Sequence, residues 1–109
     1  MIESYAKRQK IADNLNIAIA INRKRGEELA LAEREYRIAL AQRIAKEQDK
    51  GTKVTIIGDI CRGDKEVAEL KYKRDMARVL YDSSQEAILC FKLELRVVQD
   101  DLQNERKGV

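Results

Sequence analysis

A chain of 109 residues with a formal net charge of +3 has room for one domain, residues 1–109, and a modest core. Charged residues make up 38% of it and hydrophobic residues 44%, with 5% aromatic and no proline or tryptophan. That balance excludes a packed sandwich and a disordered tail and points to an all-α protein made of long helices.

The first arm is expected over about residues 3–50. Ile11, Leu15, Ala18, Leu29, Ala32, Tyr36 and Ala39 fall on one heptad stripe, interrupted at Asn22 and Arg25. A straight helix drifts against a seven-residue repeat, so Leu40 and Ile44 are expected to take over the buried face near its end. Gly26, after Arg23-Lys24-Arg25, predicts a kink or break, since glycine costs roughly 1 kcal/mol against alanine inside a helix. Gly51 is the natural stop.

The connector, residues 51–63, contains Val54, Ile56, Ile57 and Ile60 and is too apolar for a plain solvent loop. An extended stretch, or a short helix capped by Thr55, is expected to fold back on the arms. Its end, Ile60-Cys61-Arg62-Gly63-Asp64, looks like the turn of a helix-turn-helix, but the flanking helices are far longer than that motif needs.

The second arm, about residues 64–106, carries the cleanest periodicity. Spacings of 3 and 4 link Val67, Leu70, Arg74, Ala77, Tyr81 and Ser84, and continue through Ile88, Phe91, Leu95, Val98 and Leu102. Asp64 is placed to cap this helix, with Gly63 outside it and Gly108 marking its end. Two arms of near-equal length around one connector give a long antiparallel, coiled-coil-like helical hairpin, each arm roughly 60 Å long at 1.5 Å per residue. Leu89, Cys90, Leu93 and Val97 add apolar surface outside the seam. One partner arm cannot cover all of it, so a homo-oligomer is expected, with Leu89, Phe91, Leu93 and Val97 at the interface.

The chemistry of catalysis is nearly absent. The chain has no histidine, no Gly-rich phosphate cradle and no CxxC pair, so no enzyme, no metal and no cofactor is expected. Cys61 and Cys90 read as reduced thiols. No apolar run reaches the roughly 20 residues that span a bilayer, and Met1-Ile2-Glu3-Ser4 opens no signal peptide, so a soluble cytoplasmic protein without a membrane partner is expected.

Charge is uneven: residues 1–50 carry a net +3, residues 64–109 a net −1. Arg37, Arg43, Lys46, Lys50 and Lys53, with Arg62, collect at the connector end, where Arg74 of the second arm could join them. Two readings are open: cations that snorkel to water as the seam drifts away, or a rim for a nucleic-acid backbone. Tyr36, Tyr72 and Tyr81 could stack on bases, although Tyr36 and Tyr81 lie in the apolar stripes.

Gly63-Asp64-Lys65-Glu66-Val67, then Val79-Leu80-Tyr81-Asp82 and Ala87-Ile88, resemble the second helix of the UvsY recombination mediators of T-even bacteriophages. Arg37-Ile38-Ala39-Leu40-Ala41-Gln42-Arg43-Ile44 resembles their first-helix segment with its Leu-Lys-Ala-Arg motif, and the pattern also looks like small prophage proteins. The likeness spans roughly residues 27–102. It implies a ring-like homo-oligomer that binds single-stranded DNA and helps load a RecA-like recombinase onto DNA covered by single-strand-binding protein. The motif's arginine falls on Arg43 but its lysine on Ala41, and a Tyr-Trp pair of the family is replaced by Met76-Ala77. The sequence therefore leads to a phage or prophage accessory protein that binds single-stranded DNA. Its rival is a coiled-coil assembly protein, or an inhibitor of a host protein, with no affinity for nucleic acid.

Overall fold

The computed structural model describes residues 2–108. They form α1 (Ile2–Asp49), α2 (Val54–Gly63) and α3 (Lys65–Lys107), with no strand among the described residues. Contacts divide them into two compact units. The first joins the chain up to Lys24 with the chain from Tyr81 onward, and the second is Arg25–Leu80.

In the first unit the start of α1 pairs antiparallel with the end of α3. Ser4 Oγ donates to Glu105 Oε1 at 3.2 Å and Arg106 Nη2 to the Tyr5 hydroxyl at 2.9 Å, while Asn22 Nδ2 reaches Ser84 Oγ at 2.8 Å. Between these contacts Ile11, Val98 and Leu102 form a buried cluster, with Tyr5, Phe91 and Leu95 packed against it. Burying side chains of this size is worth roughly 1.5–3 kcal/mol each, so this cluster is the main apolar anchor of the unit. Asn22 and Ser84 occupy seam positions, and the Ser84 hydroxyl also donates to the Tyr81 carbonyl at 2.7 Å. A polar pair that meets across an apolar seam favours the register in which its members face each other.

The second unit contains the rest of α1, all of α2 and the start of α3. α1 ends where Gly51 takes a φ of +77°. There Thr52 N–H reaches the Glu47 carbonyl at 3.1 Å and Gly51 N–H the Gln48 carbonyl at 3.0 Å. This pair of bonds is a Schellman stop, and the left-handed residue it needs is the expected glycine.

The apolar connector is a helix in its own right. α2 buries Ile57 and Cys61, four residues apart, while Val54 and Ile56 stay exposed. Its N-cap position is Lys53, without a side-chain cap bond, so Thr55 lies inside the first turn and does not cap it as expected. One extended residue, Asp64 with φ −64° and ψ 130°, separates α2 from α3. Asp64 Oδ2 accepts from Val67 N–H at 3.1 Å, the N-cap bond read from the sequence.

Gly26 does not break the first arm: α1 is one helix of 48 residues through that position. A penalty of roughly 1 kcal/mol is small beside the cooperativity of a helix whose neighbours are Arg, Lys, Glu and Leu. The seam of α3 follows the sequence closely, since all eleven stripe positions from Val67 to Leu102 are buried or half-buried. Leu40 and Ile44 are half-buried near the end of α1, as heptad drift requires.

Candidate interaction surfaces

The cations expected to form one rim are separated by their partners. Arg43 is largely withdrawn from water: Nη2 holds Glu47 Oε1 at 2.8 Å, and Nε lies 3.8 Å from Asp64 Oδ1 without a hydrogen-bond acceptor. Arg37 is bonded to Glu33 at 2.6 Å, although its side chain keeps 75% exposure. Lys50 stands 3.7 Å from Glu47. Lys46 and Lys53 are exposed, and no ion pair involving either occurs among the described residues. Lys46 borders a depression shared with Gln42, Arg43, Asp64 and Glu66.

Arg74 does not join that group. Its guanidinium sits 4.6 Å from the centre of the Tyr36 ring and bonds Glu33 at 3.2 Å and Asp75 at 3.0 Å. It therefore fills an apolar seam position with its stem and its stacked head. Arg62 pairs with Asp59 on α2. Of the tyrosines, Tyr36 lies under Arg74, Tyr81 is half-buried and its hydroxyl accepts from Gln85, and Tyr72 is exposed.

Two carboxylates in the second unit are held ionised. The Arg37 hydrogen bond draws the Glu33 carboxyl below its ordinary value, and Arg74 adds to this against the opposing effect of burial. Glu47 is lowered chiefly by the Thr52 hydroxyl, which donates at 2.8 Å, with the charges of Lys50 and Arg43 contributing. Glu47 was not foreseen as a buried residue. The only sequence signal is its place four residues after Arg43 and five before Thr52, astride the helix stop.

Apolar surface is the larger feature. Leu89, Leu93 and Val97 are exposed, as expected of interface residues, whereas Phe91 packs against the cluster within its own chain. Half-burial of Phe91 follows from its seam position, seven residues before Val98. Ile17, Ile19 and Ile21 on α1 are exposed as well. In the second unit Leu31, Ile38, Met76, Val79 and Leu80 are exposed. Only seven hydrophobic residues are buried among the described residues.

Cys61 is buried and Cys90 exposed, both as free thiols. Among the described residues no group of three or more histidine, cysteine or acidic side chains is placed to hold a metal ion, and no helix is long and apolar enough to cross a membrane. The chain matches no protein-family model, no curated protein and no solved structure.

Proposed function

We propose that this chain works by assembly and binding without catalysing a reaction, as a helical protein of a bacterial cytoplasm whose copies associate through apolar helix faces. The observation that carries this reading is the balance of surface: among the described residues, seven buried hydrophobic residues stand against fifteen large exposed ones. Exposed apolar side chains scattered singly are ordinary, but rows of them at helical spacing mark a contact surface. Sedimentation equilibrium at micromolar concentration tests it. A multiple of the 12.6 kDa chain mass supports the reading, and a monomer removes it.

A second reading gives the assembly a ligand, single-stranded DNA, and a role in recombination beside a RecA-like recombinase and single-strand-binding protein. The likeness to the UvsY mediators motivates the recombination role, and one observation favours the ligand. At the junction of α1 and α2, Lys46, Lys50 and Lys53 stay exposed. Among the described residues only Lys50 shares a nearby acid, Glu47 at 3.7 Å, which also bonds Arg43 and Thr52, while Asp64 caps α3. Repeated in every subunit, three such lysines make a multivalent phosphate site. Fluorescence anisotropy with a labelled oligothymidylate across a salt series tests this. Affinity should fall steeply with salt, and Lys46→Ala, Lys50→Ala and Lys53→Ala together should flatten the slope by about 2. Arg43→Ala is the wrong probe, since it also removes an ion-pair partner of buried Glu47 and the ionic neighbour of Asp64. No binding at low salt would leave assembly alone as the function.

A further inference from the structure

The heptad that buries Ile11, Ala18, Val98 and Leu102 leaves a second register on the same two helices. On α3, one position before each seam residue, run Ser83, Ala87, Cys90, Glu94 and Val97 at spacings of 4, 3, 4 and 3, with exposed Leu93 beside them. On α1 the equivalent register is Lys7, Lys10, Asn14, Ile17, Ile21 and Lys24. These two rows border the same flank of the first unit. Lys7 and Ile11 of α1 line one depression together with Leu93, Glu94, Val97 and Val98 of α3. The opposite flank of α3 is more polar: at its matching positions stand Gln85, Leu89, Lys92, Arg96, Gln99, Gln103 and Arg106, with Leu89 the single apolar side chain among them. Ile17, Leu93 and Val97 keep 59%, 60% and 59% of their surface in water. Leu89 falls outside this row.

We propose that this flank is the contact surface for a second copy of the chain, related by a two-fold axis along the helices, so that α1 of each copy lies against α3 of the other. The inference rests on the assembly reading above and specifies which face associates and in what orientation. Two observations select a second copy as the occupant. The first is charge. Along the flank of the first unit α1 carries Lys7, Lys10 and Lys24 against the single acid Glu3, while α3 carries Glu94 and Asp101 and no cation. A surface with a cationic and an anionic row is complementary to itself when the rows exchange partners across a two-fold axis. In that arrangement the antiparallel register is kept. Ile17 and Ile21 then meet Ala87, Cys90 and Leu93, and Lys7 and Lys10 meet Asp101 and the Glu94–Val97 turn.

The second observation is area. The chain exposes 8191 Å², against roughly 6,200 Å² expected of a folded monomer of 12.6 kDa from the scaling of surface with mass. The excess is about 2,000 Å², more than the ~800 Å² that a standard interface removes from each partner. One flank-to-flank contact fits within that excess.

The test is molar mass by sedimentation equilibrium, with helix content checked by circular dichroism. Leu93→Glu places a carboxylate in the contact twice, once per copy, and should weaken association on the order of 100-fold or more at retained helicity. Gln99→Glu, on the other flank, should leave the mass unchanged. Lys10→Glu and Glu94→Lys should each weaken association, and the double reversal should restore at least part of it, which a loss of folding cannot do. Ile17→Cys in a Cys90→Ser background, mixed with the wild-type chain, should give a mixed covalent dimer with a short bismaleimide, a link that cannot form within one chain. Unchanged mass for Leu93→Glu, or equal loss from Gln99→Glu, overturns the proposal. Oligonucleotide binding measured on the same variants reports separately on the DNA reading: an assembled protein that binds no DNA removes that reading and leaves this contact standing.

Discussion

The first unit is anchored by the apolar cluster of Ile11, Val98 and Leu102, whereas the second places Arg43 and Arg74 at equivalent seam positions. The apolar cluster needs only close contact and contains no ion pair. The charged seam needs each partner present, because a guanidinium half out of water is tolerable only while Glu33, Glu47 and Asp64 answer it. The first unit can therefore offer a second apolar row to another molecule, while the second holds its cations largely for itself.

Four measurements sharpen or break this contrast. The largest effect is expected from Leu102→Ala in the first unit. Removing one of three clustered residues should lower stability by about 2–4 kcal/mol in urea unfolding. A change below about 1 kcal/mol would mean that the cluster is not the anchor. Next comes Arg74→Ala, which strips Tyr36 of its stacked cation and leaves Glu33 one partner short, for a loss of about 1–2 kcal/mol. Arg74→Met keeps the stem and should recover part of that loss. Equal losses for both variants would assign the whole effect to charge.

Asp64→Ala should lower stability by about 1 kcal/mol, through the lost cap of α3 and the lost ionic neighbour of Arg43. Asn at that position should restore the cap but not the charge. The smallest effect is expected from acid. Glu33 and Glu47 have folded-state values below the ordinary carboxylate value of about 4.3. Their contribution is complete above the unfolded value and is lost as pH falls through the lower folded values. Amide exchange near Glu33 and Glu47 should therefore speed up in acid, relative to its intrinsic rate, before exchange around Ile11 and Val98 does. The apolar cluster contains no carboxylate. The reverse order would contradict the contrast.

What the sequence made legible follows the strength of each signal. The α3 seam was readable because eleven consecutive heptad positions repeat, and repetition averages out single exceptions such as Arg74 and Ser84. Gly51 and Asp64 were readable because a left-handed stop and a side-chain cap are local chemistry, set by residues within one turn. The continuity of α1 through Gly26 was not readable, since one residue's propensity is outweighed by the cooperativity of the turns around it. Thr55 looked like a cap because its hydroxyl suits the role, but the chain had already begun its turn at Lys53. The partners of the five cations were not readable for a different reason. Spacing places positive charges near each other, but it does not reveal that Glu33 reaches Arg37 and that Glu47 reaches Arg43 and Lys50, while Lys46 and Lys53 make no ion pair among the described residues. Of the four residues proposed for an interface, Leu89, Leu93 and Val97 are exposed within the single chain, and Phe91 sits inward because its own heptad position assigns it to the seam.

The central claim is that copies of this chain associate through apolar helix surface, and molar mass at high ionic strength tests it most directly. Sedimentation equilibrium is run at about 50 mM and again at about 500 mM salt, where exposed charges are screened over a few ångströms. A multiple of 12.6 kDa is expected at both concentrations, because the apolar rows hold the copies together when the charged rows are screened. A mass of 12.6 kDa at both, or an assembly that falls apart as salt rises, would contradict it.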